Sequence, residues 1–250
     1  MITQDRQIIV IPDIHGRGFW RKALSYLQEG HLVFLGDYLD PYETNEGLSN
    51  EDAFFNLLDI VEVKRENPDR VSLLWGNHDL HYMYKSLKGS RYDYSNAVRF
   101  NQYFWQNQDL FQYAEDAMVG SKRFLFTHAG VGKQWAAKVS EVFEFNAPRA
   151  SELNALAHSH YFIDTLGAIS GMRGGWSDYG SMVWADCHEQ YNKENQYESI
   201  VQVFGHTQRR APLNIDNRIY CLDCHRCFIV DSISGLVQSL DDGIVVKPTA

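Results

Sequence analysis

The feature that most constrains the fold is a set of short apolar segments that each end in a polar turn. The turns are Pro12-Asp13-Ile14-His15-Gly16, Gly36-Asp37-Tyr38-Leu39-Asp40, Gly76-Asn77-His78-Asp79, Thr127-His128-Ala129-Gly130 and Gly205-His206-Thr207. Short apolar runs bounded by turn residues are typical of buried strands. Because ligands bind beyond the carboxyl ends of strands in open α/β sheets, the pattern predicts one polar site built from these turns.

The first third of the chain alternates between strand-like and helix-like segments. Residues 8–11, 31–35 and 71–75 are apolar runs, residues 19–27 resemble a short helix, and residues 52–63 carry apolar side chains at helical spacing. This alternation predicts an α/β fold with a parallel sheet.

The middle and the end of the chain follow other patterns. Residues 80–115 are rich in tyrosine, phenylalanine and asparagine, and we interpret them as a helical cap inserted beside the edge of the sheet. Residues 124–126 and 201–204 are further strand candidates, and the short runs after residue 218 predict a meander of antiparallel strands. Because no linker divides the sequence, we expect a single domain over residues 1–250.

Charge and composition argue against several kinds of partner. The net charge of −9 makes long DNA or RNA an unexpected ligand, because an acidic surface does not attract a polyanion. No apolar segment is long enough to cross a bilayer and no signal-peptide pattern is present, so we expect a cytoplasmic protein without a membrane partner. The cysteines, which are too few for a disulfide framework, are Cys187, Cys221, Cys224 and Cys227. No pattern indicates the oligomeric state.

The polar side chains of the five turns suit divalent metal ions. Carboxylate, amide and imidazole groups are hard or borderline donors for manganese, iron or zinc, and they do not select among these metals. One aspartate at a strand end is usually a turn or a helix cap, but five such turns in one chain favour a common metal site. Two ions sharing a carboxylate could clamp the attacking and leaving oxygens of a displacement at phosphorus.

As an ordered set, the five turns resemble the motifs of the calcineurin-like metallophosphoesterases. The resemblance is nearest to the branch of the phosphoprotein phosphatases and diadenosine tetraphosphatase-like enzymes, and its motifs extend over residues 13–207. It implies a four-layer αββα sandwich, in which two sheets pack face to face with helices outside. It also implies a metal-dependent phosphoesterase.

The resemblance further implies two divalent metal ions and assigns their ligands. In chain order these ligands are Asp13, His15, Asp37, Asn77, His128 and His206. The first two would hold the first ion, the third would bridge both ions, and the last three would hold the second ion. A hydroxide activated by the metals would then attack phosphorus directly.

Two further residues receive catalytic roles from the same resemblance. His78 would be the general acid that protonates the leaving oxygen, and Asp40 would orient it. Chemically this role is reasonable, because histidine titrates in the range that a general acid needs at neutral pH.

The sequence departs from the protein-phosphatase pattern at the residues that grip phosphate. Pro41 and Trp75 stand where that branch usually has arginine, and an arginine is the natural two-pronged partner of a phosphate. Arg173 is our candidate replacement, and the alternative is a solvated arginine of a loop. Gln208 stands where many phosphodiesterases of the superfamily have a second metal-binding histidine, which favours a monoesterase or a nucleotide-cleaving enzyme.

Two other segments have competing interpretations. Cys221, Cys224 and Cys227 have metal-like spacing, but the same stretch fits a strand, a tight turn and a second strand. The aromatic residues of the cap could stack on a nucleobase, although packing is their more usual role at helical spacing.

These observations lead to one main functional hypothesis and two alternatives. We expect a dinuclear phosphatase that hydrolyses a phosphate monoester in a phosphoprotein or a small molecule, with the phosphorylated substrate as its partner. One alternative is a hydrolase of dinucleoside polyphosphates or phosphodiesters, which analysis of nucleotide products would distinguish. The other is a catalytically silent metal-binding scaffold, against which the pairing of His78 with Asp40 argues.

Overall fold

Two β-sheets form the centre of the fold. The computed structural model describes residues 2, 6–42, 46–139, 147–157 and 162–249. Its strands are β1 (Gln7–Ile11), β2 (Gly30–Phe34), β3 (Val71–Leu74), β4 (Phe111–Gln112), β5 (Ala114–Val119), β6 (Lys122–Thr127), β7 (Ile200–Phe204), β8 (Leu213–Ile215), β9 (Ile219–Cys221), β10 (Phe228–Val230) and β11 (Val237–Ser239). In this part of the chain, the first sheet has the order β11-β10-β1-β2-β3-β4 and the second has the order β5-β6-β7-β9-β8.

Each sheet has a parallel centre whose strands are apolar on both faces. Strands β1 to β4 run parallel to one another in the first sheet, as do β6, β7 and β9 in the second. In β1, Ile8 and Val10 join the core between the two sheets, whereas Ile9 and Ile11 join the core under the helices. Burial on both faces therefore explains why the strands read as continuous apolar runs.

Helices cover the outer faces of both sheets. The α-helices of the described residues are α1 (Asn50–Glu66), α2 (Asn77–Met83), α3 (Ala97–Asn107), α4 (Lys133–Val139), α5 (Ala150–Leu156) and α6 (Phe162–Leu166). Helix α1 begins at a capping box, in which Ser49 Oγ accepts from the amide of Asp52 and Asp52 Oδ2 accepts from the amide of Ser49. Helix α1 lies against β3 and α5 lies against β5, which completes the four layers.

The aromatic residues of the predicted cap mostly pack against the first sheet and α1. Phe100 and Phe104 of α3 are fully buried, with Phe100 stacked on Phe54 and Phe104 in edge contact with Trp75. Trp75 also stacks on Phe111 at 4.4 Å between ring centroids. Packing is therefore the main role of these rings, and Trp75 is part of the core.

The predicted four-layer α/β architecture is confirmed, and several local predictions need correction. Residues 19–27 were expected as a helix and form a 3-10 helix over Phe19–Tyr26. The antiparallel meander at the end was wrong in part, because residues 222–227 carry the chain from the second sheet to the first and β9 pairs parallel with β7. Residues 244–246, another expected strand, contribute one isolated bridge at Val245. Among the described residues, no helix combines the length and the apolar character needed to span a membrane.

Candidate metal centre and active site

The carboxyl ends of strands from both sheets meet at one buried site. Parallel pairing of β1, β2 and β3 aligns the ends from which the chain enters the first three turns, and parallel pairing of β6 and β7 does the same for the last two. All six predicted metal ligands are buried there: Asp13, His15, Asp37, Asn77, His128 and His206. The site therefore combines one edge of each sheet.

The first group of potential ligands comes from the first sheet. Ligand atoms of Asp13, His15 and Asp37 all lie within 4.8 Å of one another. His15 Nδ1 donates to the carbonyl of Leu39 at 2.7 Å, so its Nε2 is the free nitrogen, 3.4 Å from Asp37 Oδ2. A second hydrogen bond of this kind fixes the tautomer and orientation of a metal-binding histidine.

The second group joins the two sheets. His128 Nδ1 donates to the carbonyl of Leu35 at 2.7 Å, and its Nε2 lies 2.9 Å from Asn77 Oδ1 and 3.1 Å from His206 Nδ1. Asp37 Oδ1 is 3.5 Å from the same Nε2, so Asp37 belongs to both groups.

The donor atoms fit divalent ions better than they fit one another. His128 carries its ring proton on Nδ1, so the lone pairs of its Nε2, of Asn77 Oδ1 and of Asp37 Oδ1 converge on one small volume. Cations would satisfy these lone pairs, and Asp37 occupies the bridging position between the two groups.

Burial favours the neutral form of His15 and His206, which is the form that binds metal. Burial lowers the pKa of His15 to about 3, and burial together with the charge of Arg173 lowers the pKa of His206 well below its ordinary value. Burial raises the pKa of Asp13 to about 6. Burial acts in the same direction on Asp37, but the surrounding histidines hold its pKa well below the ordinary value.

The backbone is strained at the turns of the site. His15, Asp37, Asp40 and His206 have φ angles of 43°, 55°, 58° and 64°, a left-handed region that only a few per cent of non-glycine residues occupy, with aspartate and histidine among the types found there most often. Such outliers persist where the surrounding structure over-determines them, and they cluster at functional sites.

Two glycines allow the turns to approach the carboxylates. A methyl group on Gly76 would overlap the carboxylate of Asp37, and one on Gly205 would overlap that of Asp13. Only glycine therefore fits at these two positions without displacing a potential ligand.

His78 and Asp40 form a buried pair beside the first group of ligands. His78 Nδ1 lies 2.7 Å from Asp40 Oδ2, and the His78 ring is in edge contact with the His15 ring at 5.2 Å. Tyr82 donates its hydroxyl to Asp40 Oδ1, and His81 Nε2 lies 2.7 Å from Asp40 Oδ2. Burial acts to raise the pKa of Asp40, but its contacts with the two histidines hold it below the ordinary value.

Arg91 is a residue of the site that the sequence did not indicate. Its Nη2 lies 3.0 Å from His78 Nε2, and its Nη1 donates to the carbonyl of Asp40 at 2.7 Å. The guanidinium lies 3.7 Å from the centre of the Tyr42 ring. Because a guanidinium cannot accept a hydrogen bond, His78 Nε2 is the acceptor and its Nδ1 carries the proton shared with Asp40.

Arg173, the predicted replacement for the phosphate-binding arginines, reaches the rim of the site. Its Nη2 donates to the carbonyl of His206 at 3.4 Å, and its Nη1 lies 3.5 Å from Asp186 Oδ2. Gln208 turns away, since its Nε2 lies 3.0 Å from His225 Nε2 in an exposed contact.

Asp79 stabilises the turns of the site, a role that its place in the motif did not predict. Its carboxylate accepts hydrogen bonds from the amides of Asp37, Tyr38 and Gly76, each at 2.9 Å. It stands in the first turn of α2, where acidic residues cap a helix, and that position was a usable signal. Asp79 thus ties the second turn to the third.

The cysteines are free thiols, and all of them are buried. Among the described residues, the groups that could hold a metal include Cys187 beside Asp186 and His188 but none of Cys221, Cys224 and Cys227. The zinc interpretation of the last three therefore has no support in the geometry.

Comparison with known proteins identifies the family. Residues 6–210 match the profile of the calcineurin-like phosphoesterases, so the chain belongs to the calcineurin-like phosphoesterase family and is a metal-dependent phosphoesterase. No curated protein sequence matches it.

Solved structures share the fold at low sequence identity. One is the cold-active protein-tyrosine phosphatase of a psychrophilic Shewanella species, at 16% identity and a TM-score of 0.62 over 98% of this chain and 80% of that one. A second is a protein serine/threonine phosphatase of Saccharomyces cerevisiae with similarity to human phosphatase PP5, at 13% identity and a TM-score of 0.53 over 92% and 76%. A third, described as a proposed diadenosine tetraphosphatase, has 16% identity and a TM-score of 0.50 over 96% of both chains.

Proposed function

We propose that the protein is a phosphatase that uses two divalent metal ions to hydrolyse a phosphate monoester. The observation that carries this proposal is the hydrogen-bonded pair of His78 and Asp40 beside two groups of potential ligands that share Asp37. A scaffold that only retained metal would have no use for a histidine held at 2.7 Å by a buried carboxylate.

Charge at the site supports a monoester over a diester. Two arginines, Arg91 and Arg173, lie at the site within reach of His78 and His206. The terminal phosphate of a monoester carries up to two negative charges, whereas a diester carries one and must also fit a second substituent. Gln208 faces His225 instead of the ligands, so it does not take the part of a second histidine.

In the proposed reaction, Asp40, His78 and Arg173 have separate roles. Divalent ions, when bound, supply positive charge and lower the pKa of water towards neutrality. Asp40 keeps the His78 ring in place and stabilises its cationic form, from which Nε2 gives a proton to the leaving oxygen. Arg173 would steady the phosphate from the side of His206. For His78 to act as an acid, its Nε2 must first lose the contact with Arg91.

The experiment compares p-nitrophenyl phosphate with bis(p-nitrophenyl) phosphate on protein loaded with manganese, iron or zinc. We expect the monoester to be preferred over the diester. On an alkyl phosphate, whose leaving oxygen needs a proton, His78→Ala should abolish most of the activity while metal content, measured by elemental analysis, stays the same. A preference for the diester would contradict the proposal, and full activity of His78→Ala on the alkyl phosphate would exclude His78 as the acid.

A second candidate function is the hydrolysis of nucleotide substrates. A cleft of about 480 Å³ beside Arg91 is lined by Tyr42, Tyr92 and Tyr94. Of these rings Tyr94 is exposed, and an exposed aromatic ring can stack on a base. Packing already uses the Tyr92 ring, which stacks on Tyr82 at 4.8 Å. Chromatographic analysis of products from diadenosine tetraphosphate and nucleoside monophosphates would separate this candidate from the first.

A further inference from the structure

Arg91 lies at the edge of the candidate active site and forms no ion pair with a carboxylate of the described residues. We propose that Arg91 binds the phosphate group of the substrate and gives up its contact with His78 when it does so. This inference rests on the proposed phosphatase function and names the residue that would recognise the anion.

The charge of Arg91 has no carboxylate partner among the described residues. Its polar contacts there are the carbonyl of Asp40 and the Nε2 of His78, both uncharged acceptors. Arg17 and Arg123 differ in this respect, since Arg17 forms an ion pair with Glu46 at 2.7 Å and Arg123 with Asp116 at 3.2 Å. A half-buried guanidinium without a carboxylate partner is the group that gains most from an anion.

The position of the guanidinium suits a phosphate that is held beside His78. Its Nη2 points at the same His78 nitrogen from which the proposed proton transfer to the leaving oxygen would start. Any ester oxygen close enough to receive that proton therefore also lies within reach of Arg91. The carbonyl of Asp40 and the Tyr42 ring fix the guanidinium from two other sides, which lowers the entropy lost on binding.

Arg91 must exchange His78 for phosphate as its hydrogen-bond acceptor before His78 can donate a proton. Arg91 Nη2 now donates to His78 Nε2, and a nitrogen that accepts a hydrogen bond cannot donate one at the same time. When phosphate oxygen replaces imidazole as the acceptor, the guanidinium keeps the same number of hydrogen bonds and exchanges a neutral acceptor for a charged one. The Nη1 contact with Asp40 need not change.

The test uses full-length, manganese-loaded protein and matched variants. Arg91→Gln removes the charge, and Arg91→Lys keeps the charge but loses the two-pronged donor. Arg99→Gln is the control, because Arg99 is an exposed arginine on α3 that pairs with Glu51 at 2.7 Å. For each protein, kcat and KM are measured with p-nitrophenyl phosphate, and the dissociation constant of inorganic phosphate is measured by calorimetry.

We expect Arg91→Gln to raise both KM and the phosphate dissociation constant by about 10- to 100-fold, the usual effect of losing a charge-assisted hydrogen bond. Arg91→Lys should raise both by a smaller factor, and Arg99→Gln should change neither. If Arg91 only positions His78, kcat falls while KM and the phosphate constant keep wild-type values, and the proposal is wrong.

Failure of this proposal can be told apart from failure of the proposed function. Wild-type protein without monoesterase activity would refute the phosphatase, but calorimetry with phosphate would still test Arg91. Equal phosphate affinity in wild type and Arg91→Gln, or no phosphate binding by wild type, overturns the proposal. Circular dichroism shows whether each variant is folded, and if Arg91→Gln is not, Arg91→Lys decides by the same criteria.

Discussion

Replacing Asp40 by asparagine tests the acid role of His78 most directly. Asparagine keeps the size of the side chain and can still accept from His78 Nδ1, so the change removes mainly the negative charge. The hydrogen bond between Asp40 Oδ2 and His78 Nδ1 is 2.7 Å long and buried, and one to a charged group contributes about 1.5 to 3 kcal/mol. If that stabilisation is specific to the cationic ring, Asp40→Asn should slow the acid-assisted step by about 10- to 150-fold.

The assay that isolates this effect varies the leaving group. Aryl phosphates with acidic phenols leave without help from an acid, whereas alkyl phosphates need a proton on the leaving oxygen. We therefore expect Asp40→Asn to lower kcat strongly for alkyl phosphates and weakly for p-nitrophenyl phosphate. Asp59→Asn is the control, because Asp59 is an exposed aspartate of α1 that pairs with Arg21 at 2.8 Å.

An equal loss for all leaving groups would refute this reasoning. It would mean that Asp40 holds the turn in place and does not assist proton transfer. No loss for any substrate would exclude His78 as an acid supported by Asp40. Metal content of the variant must equal that of wild type, because Asn77 is adjacent to His78 in the chain.

Three further predictions follow from the site and the core. Manganese should raise the melting temperature of wild type, because it binds the folded state, and Asp37→Asn should lose most of this rise; an unchanged rise would exclude Asp37 as a shared ligand. Gly205→Ala should weaken manganese binding in calorimetry, because its methyl group displaces Asp13, and wild-type affinity would contradict this. His31 should make folding sensitive to acid, because burial lowers its pKa from 6.5 to about 4. The unfolded chain takes up this proton first, so stability is full above pH 6.5 and falls by about 3 kcal/mol as the pH drops to 4. His15 and His206, whose pKa values burial also lowers, remain in both proteins. Urea unfolding at both pH values should therefore show a loss of stability that is larger by about 3 kcal/mol in wild type than in His31→Gln, and parallel losses would refute the prediction.

The sequence predicted the parts of the site that lie directly after strands. Asp13, Asp37, Asn77, His128 and His206 each follow an apolar run, and parallel pairing brings the ends of such runs to one edge. The apolar run before each residue was therefore sufficient to predict its place in the site, because the pairing of neighbouring strands decides which turns meet. Their roles as metal ligands stay predictions until an ion is measured.

Arg91 could not be predicted in the same way. It lies between α2 and α3, where no apolar period leads up to it, and it reaches His78 because α2 and α3 pack on each other. Its place in the site depends on a contact with His78, a residue thirteen positions earlier in the chain. Long-range placement of this kind leaves no mark in the neighbouring sequence.

The errors in the fold arose where the chain passes between the sheets. Tyr113 separates β4 in the first sheet from β5 in the second, and its amide donates to Asn154 Oδ1 at 2.7 Å instead of to a strand. Residues 222–227 make the return crossing between β9 and β10. An alternating pattern of apolar residues reports that a strand is buried, but it does not report which sheet the strand joins.

The left-handed backbone at four residues in three of the turns has an evolutionary consequence. Each such residue costs about 1 to 3 kcal/mol, and four of them approach the whole margin by which a domain of this kind stays folded. Glycine at any of these positions would relieve the strain, but it would also remove buried hydrogen bonds of the present side chains, such as that of His15 with Leu39 and that of Asp40 with His78. A lineage that no longer needed the proposed chemistry could therefore exchange these side chains for glycine only where the relieved strain exceeds the lost hydrogen bonds.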